Sequence, residues 1–167
     1  MKPVEIFKIS VVQAAVLTLI ALGVAFAYNS ASESGIDPFR DRSGRENVNR
    51  KIMEKNYGVT IIDLEETIKL IDRGAVLIDA RTKSAYERGH IPGAILFDYY
   101  MFHKYVDLVL PQLDPTQNTI IYCESPECGV SELLARELYS LGYENLHVFR
   151  GGFLAWEERG RPVEGGY

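Results

Sequence analysis

From residue 58 onward, short apolar runs alternate with amphipathic segments, and this alternation limits the folds open to the chain. The apolar runs predict buried strands at residues 76–80, 94–97, 119–122 and 146–149. Parallel strands need crossover connections, which are usually helices. Helices are predicted between and around the strands, at residues 64–73, 84–88, 99–110, 131–141 and 153–159. The sequence therefore predicts an α/β fold with a parallel sheet and helices on both faces.

The N-terminal part contains a run without charged side chains, residues 9–28, ISVVQAAVLTLIALGVAFAY. As a helix with about 1.5 Å rise per residue, this run is about 30 Å long, the thickness of a hydrocarbon core. We therefore expect one N-terminal transmembrane helix that contacts the membrane through residues 9–28. Ala25-Phe26-Ala27 also fits a signal-peptidase site, so the segment is either a retained signal anchor or a signal peptide cleaved after Ala27.

These observations divide the chain into an anchor or signal peptide (1–28), a polar tether (29–57) and a folded domain (58–167). Residues 29–51 contain only four clear apolar side chains, too few to offset the entropy lost on ordering. A single N-terminal helix usually leaves the following domain outside the cytoplasm. We expect a membrane-anchored, extracytoplasmic domain, periplasmic in a bacterium, or a secreted or periplasmic soluble protein if cleavage occurs.

Composition excludes several classes of function. The chain has 18 Lys and Arg against 23 Asp and Glu, a net charge of −5, so it lacks the basic surface of a general nucleic-acid binder. Its two cysteines, Cys123 and Cys128, are too few for a disulfide scaffold or a four-cysteine zinc site. No metal and no organic cofactor are expected.

The reactive residue that this topology places best is Cys123. It directly follows the strand 119–122, and the next helix begins near Ser131. Ligands of open α/β sheets bind beyond the carboxyl ends of the strands. Backbone N–H groups and the positive end of the helix are expected to lower the pKa of the thiol and favour the nucleophilic thiolate. The alternative is that Cys123 is a small buried apolar residue.

Two further segments carry a family resemblance. LIDARTKSAYERGHIPGAI (77–95) resembles the first signature of rhodanese-like domains, an apolar strand ending in Asp-x-Arg followed by Gly-His-Ile-Pro-Gly-Ala. GGFLAWEERGRPVE (151–164) resembles their C-terminal signature. The resemblance covers about residues 58–165 and implies a rhodanese-like, single-domain sulfurtransferase.

The resemblance implies that Cys123 is the catalytic residue. It would take a sulfane sulfur from a donor such as thiosulfate or a persulfide, and pass it from its own persulfide to a thiol or another nucleophilic acceptor. Backbone groups of the loop would form the persulfide cradle, at Glu124, Ser125, Glu127, Gly129 and Val130. A structural role is expected for the motif residues Asp79, Arg81 and His90, with a charge-assisted pair between the first two.

The loop departs from the common family pattern because it is longer than six residues, contains two acids and has no basic residue. Like charge opposes the approach of dianionic thiosulfate, whereas a neutral or protein-borne persulfide is less affected. The phosphatase relatives of this fold use Cys-x5-Arg. Residue 129 is Gly and residue 134 is Leu, so neither cysteine is followed by that Arg.

Cys128 leaves three interpretations open. It is a resolving thiol that attacks an oxidised or persulfidated Cys123, the partner in a stable loop-closing disulfide, or a packing residue. Accordingly, two other functions stand beside sulfur transfer. The first is a dithiol redox protein that cycles a Cys123–Cys128 disulfide, and the second is a non-catalytic rhodanese-like module that binds a membrane protein.

Overall fold

The computed structural model describes residues 3–31 and 42–166, and the chain divides into two compact units, Met1–Ser43 and Gly44–Tyr167. In the first unit, helix α1 (Pro3–Ala31) contains the uncharged run. Crossing a bilayer takes about 20 consecutive apolar residues in one helix, and no helix in the two described ranges is long and apolar enough to do so. The prediction of a transmembrane anchor over residues 9–28 is therefore not supported, and the location of the domain stays a prediction.

Helix α2 (Arg42–Tyr57) replaces much of the predicted tether, whose residues 32–41 lie outside the described part. Met53 is 5% exposed and packs in the core of the second unit. The ring of Tyr57 contacts Tyr139 edge to face, with centroids 6.4 Å apart. The prediction of a tether rested on the small number of apolar side chains. A helix with few of them can still be held to the domain by one or two contacts, here those of Met53 and Tyr57.

The sheet has five parallel strands in the order β1-β5-β4-β2-β3. Their bounds are β1 (Thr60–Ile62), β2 (Val76–Asp79), β3 (Ile95–Leu96), β4 (Thr119–Tyr122) and β5 (Leu146–Phe149). The predicted parallel sheet is confirmed. The edge strand β1 was not predicted, because three residues give too little periodicity to recognise.

The helices of the domain lie close to their predicted positions and cover both faces of the sheet. They are α3 (Leu64–Asp72), α4 (Lys83–Arg88), α5 (Phe102–Val109), α6 (Val130–Ser140) and α7 (Gly152–Glu158). The helix predicted at 99–110 is shorter, because its first and last turns are 3-10 helices, Tyr99–Met101 and Leu110–Gln112.

Two hydrophobic clusters fill the space between sheet and helices. One contains Leu134 and Leu138 of α6 with Ile121 of β4, and the other contains Trp156 of α7 with Ile120 of β4. Successive side chains of a strand point to opposite faces, so β4 contributes to both clusters and all four of its residues are buried. The residue that follows β4 therefore lies at the centre of the carboxyl edge of the sheet.

Candidate active site

Cys123 is that residue. It is 2% exposed and follows β4 directly, and the loop after it reaches Gly129, which caps helix α6. The strand–loop–helix placement agrees with the arrangement read from the sequence.

The Cys123 sulfur lies among backbone carbonyls and one serine. The carbonyl oxygens of Ser125, at 3.8 Å, and of Cys128 accept from the thiol. The hydroxyl of Ser131, itself 2% exposed, donates to the sulfur at 3.5 Å. Sequence reasoning used Ser131 only to mark the start of the helix. A hydroxyl in the first helical turn after a candidate nucleophile was the available signal.

This environment favours the thiol over the thiolate. Burial raises the pKa of Cys123, the adjacent Cys128 raises it further, hydrogen bonds from Ser131 lower it only in part, and the resulting pKa is about 12. The expectation of a lowered pKa is therefore wrong for this conformation. The main cause is burial of the sulfur, which disfavours the charged thiolate, and the side chain of Cys128 adds to it.

We expect alkylation of Cys123 by iodoacetamide to keep accelerating as the pH rises beyond 9, because the thiolate is the reactive form. Peptide mass spectrometry after brief labelling gives the rate at this residue separately from Cys128. In urea-unfolded chain the rate should level off near the ordinary thiol pKa of about 8.5. A plateau below pH 8 in the folded protein would contradict the raised pKa.

The same shift makes stability depend on pH. The folded chain holds the Cys123 proton more tightly than the unfolded chain, so this group stabilises the fold fully below pH 9. The contribution is lost as the pH rises from 9 toward 12.

The five predicted cradle residues follow Cys123 in the loop and the start of α6, and of these only Ser125 has a described contact with the sulfur, through its carbonyl. The Glu124 carbonyl accepts from the Leu154 N–H at 3.0 Å, and the Ser125 hydroxyl donates to Glu127 at 2.9 Å. Gly129 is the N-cap of α6, and Val130 is its first residue. Their role as persulfide ligands stays a prediction.

The side chain of Glu124 connects the loop to the first motif. The Arg81 guanidinium is 5% exposed and pairs with Glu124 at 2.8 Å. It also donates to the Asp79 carboxylate at 2.7 Å and to the Gly89 carbonyl at 2.6 Å, and lies 4.2 Å above the Phe153 ring. The spacing of Asp79 and Arg81 suggested their pairing, but the contact with Glu124 joins positions 43 residues apart and could not be read from the sequence.

Asp79 is fully buried and every contact described for it is with a donor. The Arg81 main chain and guanidinium donate to it, and so does the Tyr122 hydroxyl at 2.8 Å. Burial alone lowers the pKa of Arg81, but the Asp79 carboxylate more than reverses this, so the pKa lies above its usual value. Burial and Asp79 together raise the pKa of Tyr122. This network holds the Arg81 side chain, which in turn contacts the loop through Glu124.

The contacts described for His90 are with Tyr86 and Glu164. Its ring stacks on Tyr86 with centroids 3.7 Å apart, and Nδ1 lies 3.0 Å from the Tyr86 carbonyl oxygen. Its main chain exchanges two hydrogen bonds with Glu164. These contacts join the first motif to the end of the chain.

Gly152 brings the C-terminal motif against the loop. The Phe153 N–H donates to the Cys123 carbonyl at 2.8 Å, next to the contact that Leu154 makes with Glu124. Gly152 has φ +67°, and a Cβ there would lie 2.5 Å from the Cys123 carbonyl oxygen. Only glycine permits this approach of the two backbones.

Cys128 is half-buried and packs against the same hydrophobic cluster that contains Cys123. Its N–H donates to the Ser125 carbonyl at 3.0 Å, which closes a tight turn. Both cysteines are free thiols. The loop-closing disulfide is therefore not formed in this conformation, although the two side chains face the same cluster.

Known proteins resemble this chain in sequence and in fold. The profile of the Rhodanese-like domain family matches residues 63–159. Thiosulfate sulfurtransferase 18 of Arabidopsis thaliana is 27% identical over 116 residues, covering 63% of this chain and 83% of its own. Thiosulfate sulfurtransferase GlpE of Pseudoalteromonas translucida is 32% identical, covering 58% and 87%. The crystal structure of the BH2092 protein from Bacillus halodurans has a TM-score of 0.56 at 24% identity, covering 73% and 87%.

The sequence relatives and the structural match support different conclusions. At 24% identity the Bacillus halodurans structure establishes the fold alone. The two relatives with sulfurtransferase names support a sulfur-transfer function, with substrate and activity left open. The family match covers more than half of the chain and includes the first signature, Cys123 and the first part of the C-terminal signature. The chain belongs to the family of rhodanese-like domains.

Proposed function

We propose that the protein is a sulfurtransferase that carries a sulfane sulfur as a persulfide on Cys123 and passes it to a thiol acceptor. The observation that carries the proposal is the placement of Cys123: it follows the central strand, lies under the loop, and accepts a hydrogen bond from the buried Ser131 at 3.5 Å. Among the groups described around the loop, the two thiols are the nucleophiles suited to carry sulfur, and Cys123 is the one at the end of the central strand.

The transfer balances without any cofactor. The Cys123 thiol attacks the outer sulfur of a donor R–S–SH, the S–S bond of the donor breaks, and R–SH leaves with the thiol proton. An acceptor thiol then attacks the outer sulfur of the Cys123 persulfide and restores the Cys123 thiol. A donor whose leaving group accepts a proton suits a thiol whose pKa is raised to about 12.

Electrostatics favours a persulfide over thiosulfate as the donor. The loop carries the carboxylates of Glu124 and Glu127, and the Arg81 cation that contacts Glu124 is already paired with Asp79. A dianion approaching Cys123 therefore meets negative charge at short range. A neutral persulfide is not repelled by these carboxylates in the same way.

Intact mass spectrometry of the reduced chain, after exposure to a low-molecular-weight persulfide, tests the proposal. We expect a gain of one sulfur atom that Cys123→Ser abolishes and the matched Cys128→Ser retains. Thiosulfate should load the chain more slowly than the persulfide. No gain of sulfur from either donor, in protein shown to be folded and reduced, would overturn the proposal and leave a binding module.

A second candidate is the dithiol redox protein, and the packing of Cys128 against the cluster of Cys123 favours it. Here the Cys128 thiol attacks the inner sulfur of the Cys123 persulfide. A Cys123–Cys128 disulfide forms and hydrogen sulfide leaves. The same mass spectra distinguish the two, because this reaction gives loss of two hydrogens with no retained sulfur and requires both cysteines.

A further inference from the structure

Glu124 is the first residue of the loop after Cys123, and its carboxylate is held in one place. Nη1 of Arg81 donates to the carboxylate at 2.8 Å, and the Leu154 N–H donates to the Glu124 carbonyl at 3.0 Å. Consecutive Cα atoms are about 3.8 Å apart, so the carboxylate stays within roughly 10 Å of the Cys123 sulfur. The side chain of Glu124 is 43% exposed, so its charge also faces solvent.

Arg81 does not cancel this charge. Its Nε and Nη2 donate to the Asp79 carboxylate at 3.0 Å and 2.7 Å, and Nη2 also donates to the Gly89 carbonyl. Two carboxylates therefore share one guanidinium, which leaves one excess negative charge. Asp79 is fully buried and Arg81 is 5% exposed. Glu124 is thus the solvent-facing member of the group.

No basic residue of the loop offsets the excess charge. Residues 124–129 contain two acids and no Lys, Arg or His. The second acid, Glu127, accepts from the Ser125 hydroxyl at 2.9 Å. Arg150, which directly follows β5, is paired with Glu132 at 3.3 Å. An anion that approaches Cys123 therefore meets the field of a fixed carboxylate on the residue next to its target.

We propose that Glu124 determines the donor selectivity of Cys123 by opposing sulfur donors in proportion to their negative charge. Between one carboxylate and a dianion about 10 Å apart in water, the Coulomb repulsion slows the reaction about fourfold at low ionic strength. The corresponding factor is about twofold for a monoanion, and a neutral donor is unaffected. This inference rests on the proposed sulfur transfer and assigns its selectivity to one side chain.

Two donors with the same reacting bond test the inference, the dianion thiosulfate and the monoanion methanethiosulfonate. The Cys123 thiol attacks the outer sulfur of either donor, and the S–S bond of the donor breaks. Sulfite or methanesulfinate leaves, and the thiol proton stays on the new persulfide. At an ionic strength of about 0.01 M, we expect Glu124→Gln to accelerate loading about fourfold with thiosulfate and about twofold with methanethiosulfonate. Intact mass spectrometry over time gives both rates, and the gains should vanish in about 1 M salt.

Two further variants separate the charge of Glu124 from other effects. Glu144→Gln removes the same charge from an exposed residue two positions before β5, at the opposite edge of the sheet, and should change the rates much less. Glu124→Asp keeps the charge while shortening the side chain that contacts Arg81, and should load at nearly the wild-type rates. Gains in either variant equal to those of Glu124→Gln would refute the inference, because net charge or movement of the loop would then be the cause.

Alkylation tests the charge effect without any sulfur transfer. The rate of Cys123 with iodoacetate, divided by its rate with the neutral iodoacetamide, cancels the thiolate fraction and reports the field at the sulfur. Glu124→Gln should raise this ratio about twofold at low ionic strength. If no donor loads Cys123 but the ratio rises, the sulfurtransferase fails and the charge effect of Glu124 stands. If a persulfide loads Cys123 while Glu124→Gln changes neither the ratio nor the thiosulfate rate, the inference is refuted and the sulfurtransferase stands.

Discussion

Gly152→Ala is expected to lower the free energy of unfolding by about 3 kcal/mol. At φ +67° a non-glycine residue costs about 1–2 kcal/mol. In addition, the new Cβ would lie 2.5 Å from the Cys123 carbonyl oxygen and 2.8 Å from that of Glu124. Relief of this overlap must move α7 away from the loop and weaken the hydrogen bonds from Phe153 and Leu154. Urea unfolding measures the loss.

Gly160→Ala is the matched control. Gly160 has φ +64°, nearly the angle of Gly152, but a Cβ there meets no atom within 4 Å. Its expected cost is therefore the backbone cost alone, about 1 kcal/mol. The difference between the variants isolates the contact with the loop. Equal losses in the two would show that the close approach of the backbones adds nothing to stability.

The same substitution should act on the sulfur. If α7 fixes the loop, displacement of the Cys123 and Glu124 carbonyls exposes a thiol that is 2% exposed in the native chain. We expect alkylation of Cys123 at neutral pH to be faster in Gly152→Ala than in Gly160→Ala. This readout distinguishes a contact that positions the loop from one that only stabilises the fold.

Much of the fold could be predicted because the signals were local. The apolar runs at 119–122 and 146–149 fall on β4 and β5, and the residues predicted for α6 differ from its bounds by one position at each end. Their periodicity and flanking glycines lie within a few residues of one another. Helix α2 was missed because its buried residue Met53 makes long-range contacts that no local sequence pattern predicts.

The candidate active site likewise combines features that local sequence predicts with features that depend on distant contacts. The position of Cys123 followed from local topology, whereas its protonation depends on how deeply the fold buries the sulfur and on the Cys128 side chain beside it. The loop directs the carbonyls of Ser125 and Cys128 at the sulfur, and Glu124 holds the loop to distant residues through its contacts with Arg81 and Leu154. Sequence patterns locate a nucleophile in this fold, but they do not fix its pKa.

Arg81→Met is expected to destabilise the fold by about 3 kcal/mol or more. Asp79 has no exposed surface, and Arg81 provides its main-chain contact and its guanidinium contacts. Removal of one partner from a buried ion pair typically costs about 3–5 kcal/mol, because the other charge stays buried without compensation. Tyr122 would remain as a donor to Asp79. The variant also loses the stacking of Arg81 on Phe153.

Two further variants separate the buried charge from the loop contact. Glu124→Gln removes the other carboxylate that pairs with Arg81, but its side chain is 43% exposed, so we expect a loss below about 1 kcal/mol. The double variant Asp79→Asn/Arg81→Met should be more stable than Arg81→Met alone, because no uncompensated carboxylate remains. If the second substitution instead adds to the loss, the cost of Arg81→Met comes from lost packing on Phe153 and lost contacts to the loop, and the buried charge is not its cause. Urea unfolding of the four proteins decides between these causes, since the two sites are in contact and their free energies need not add.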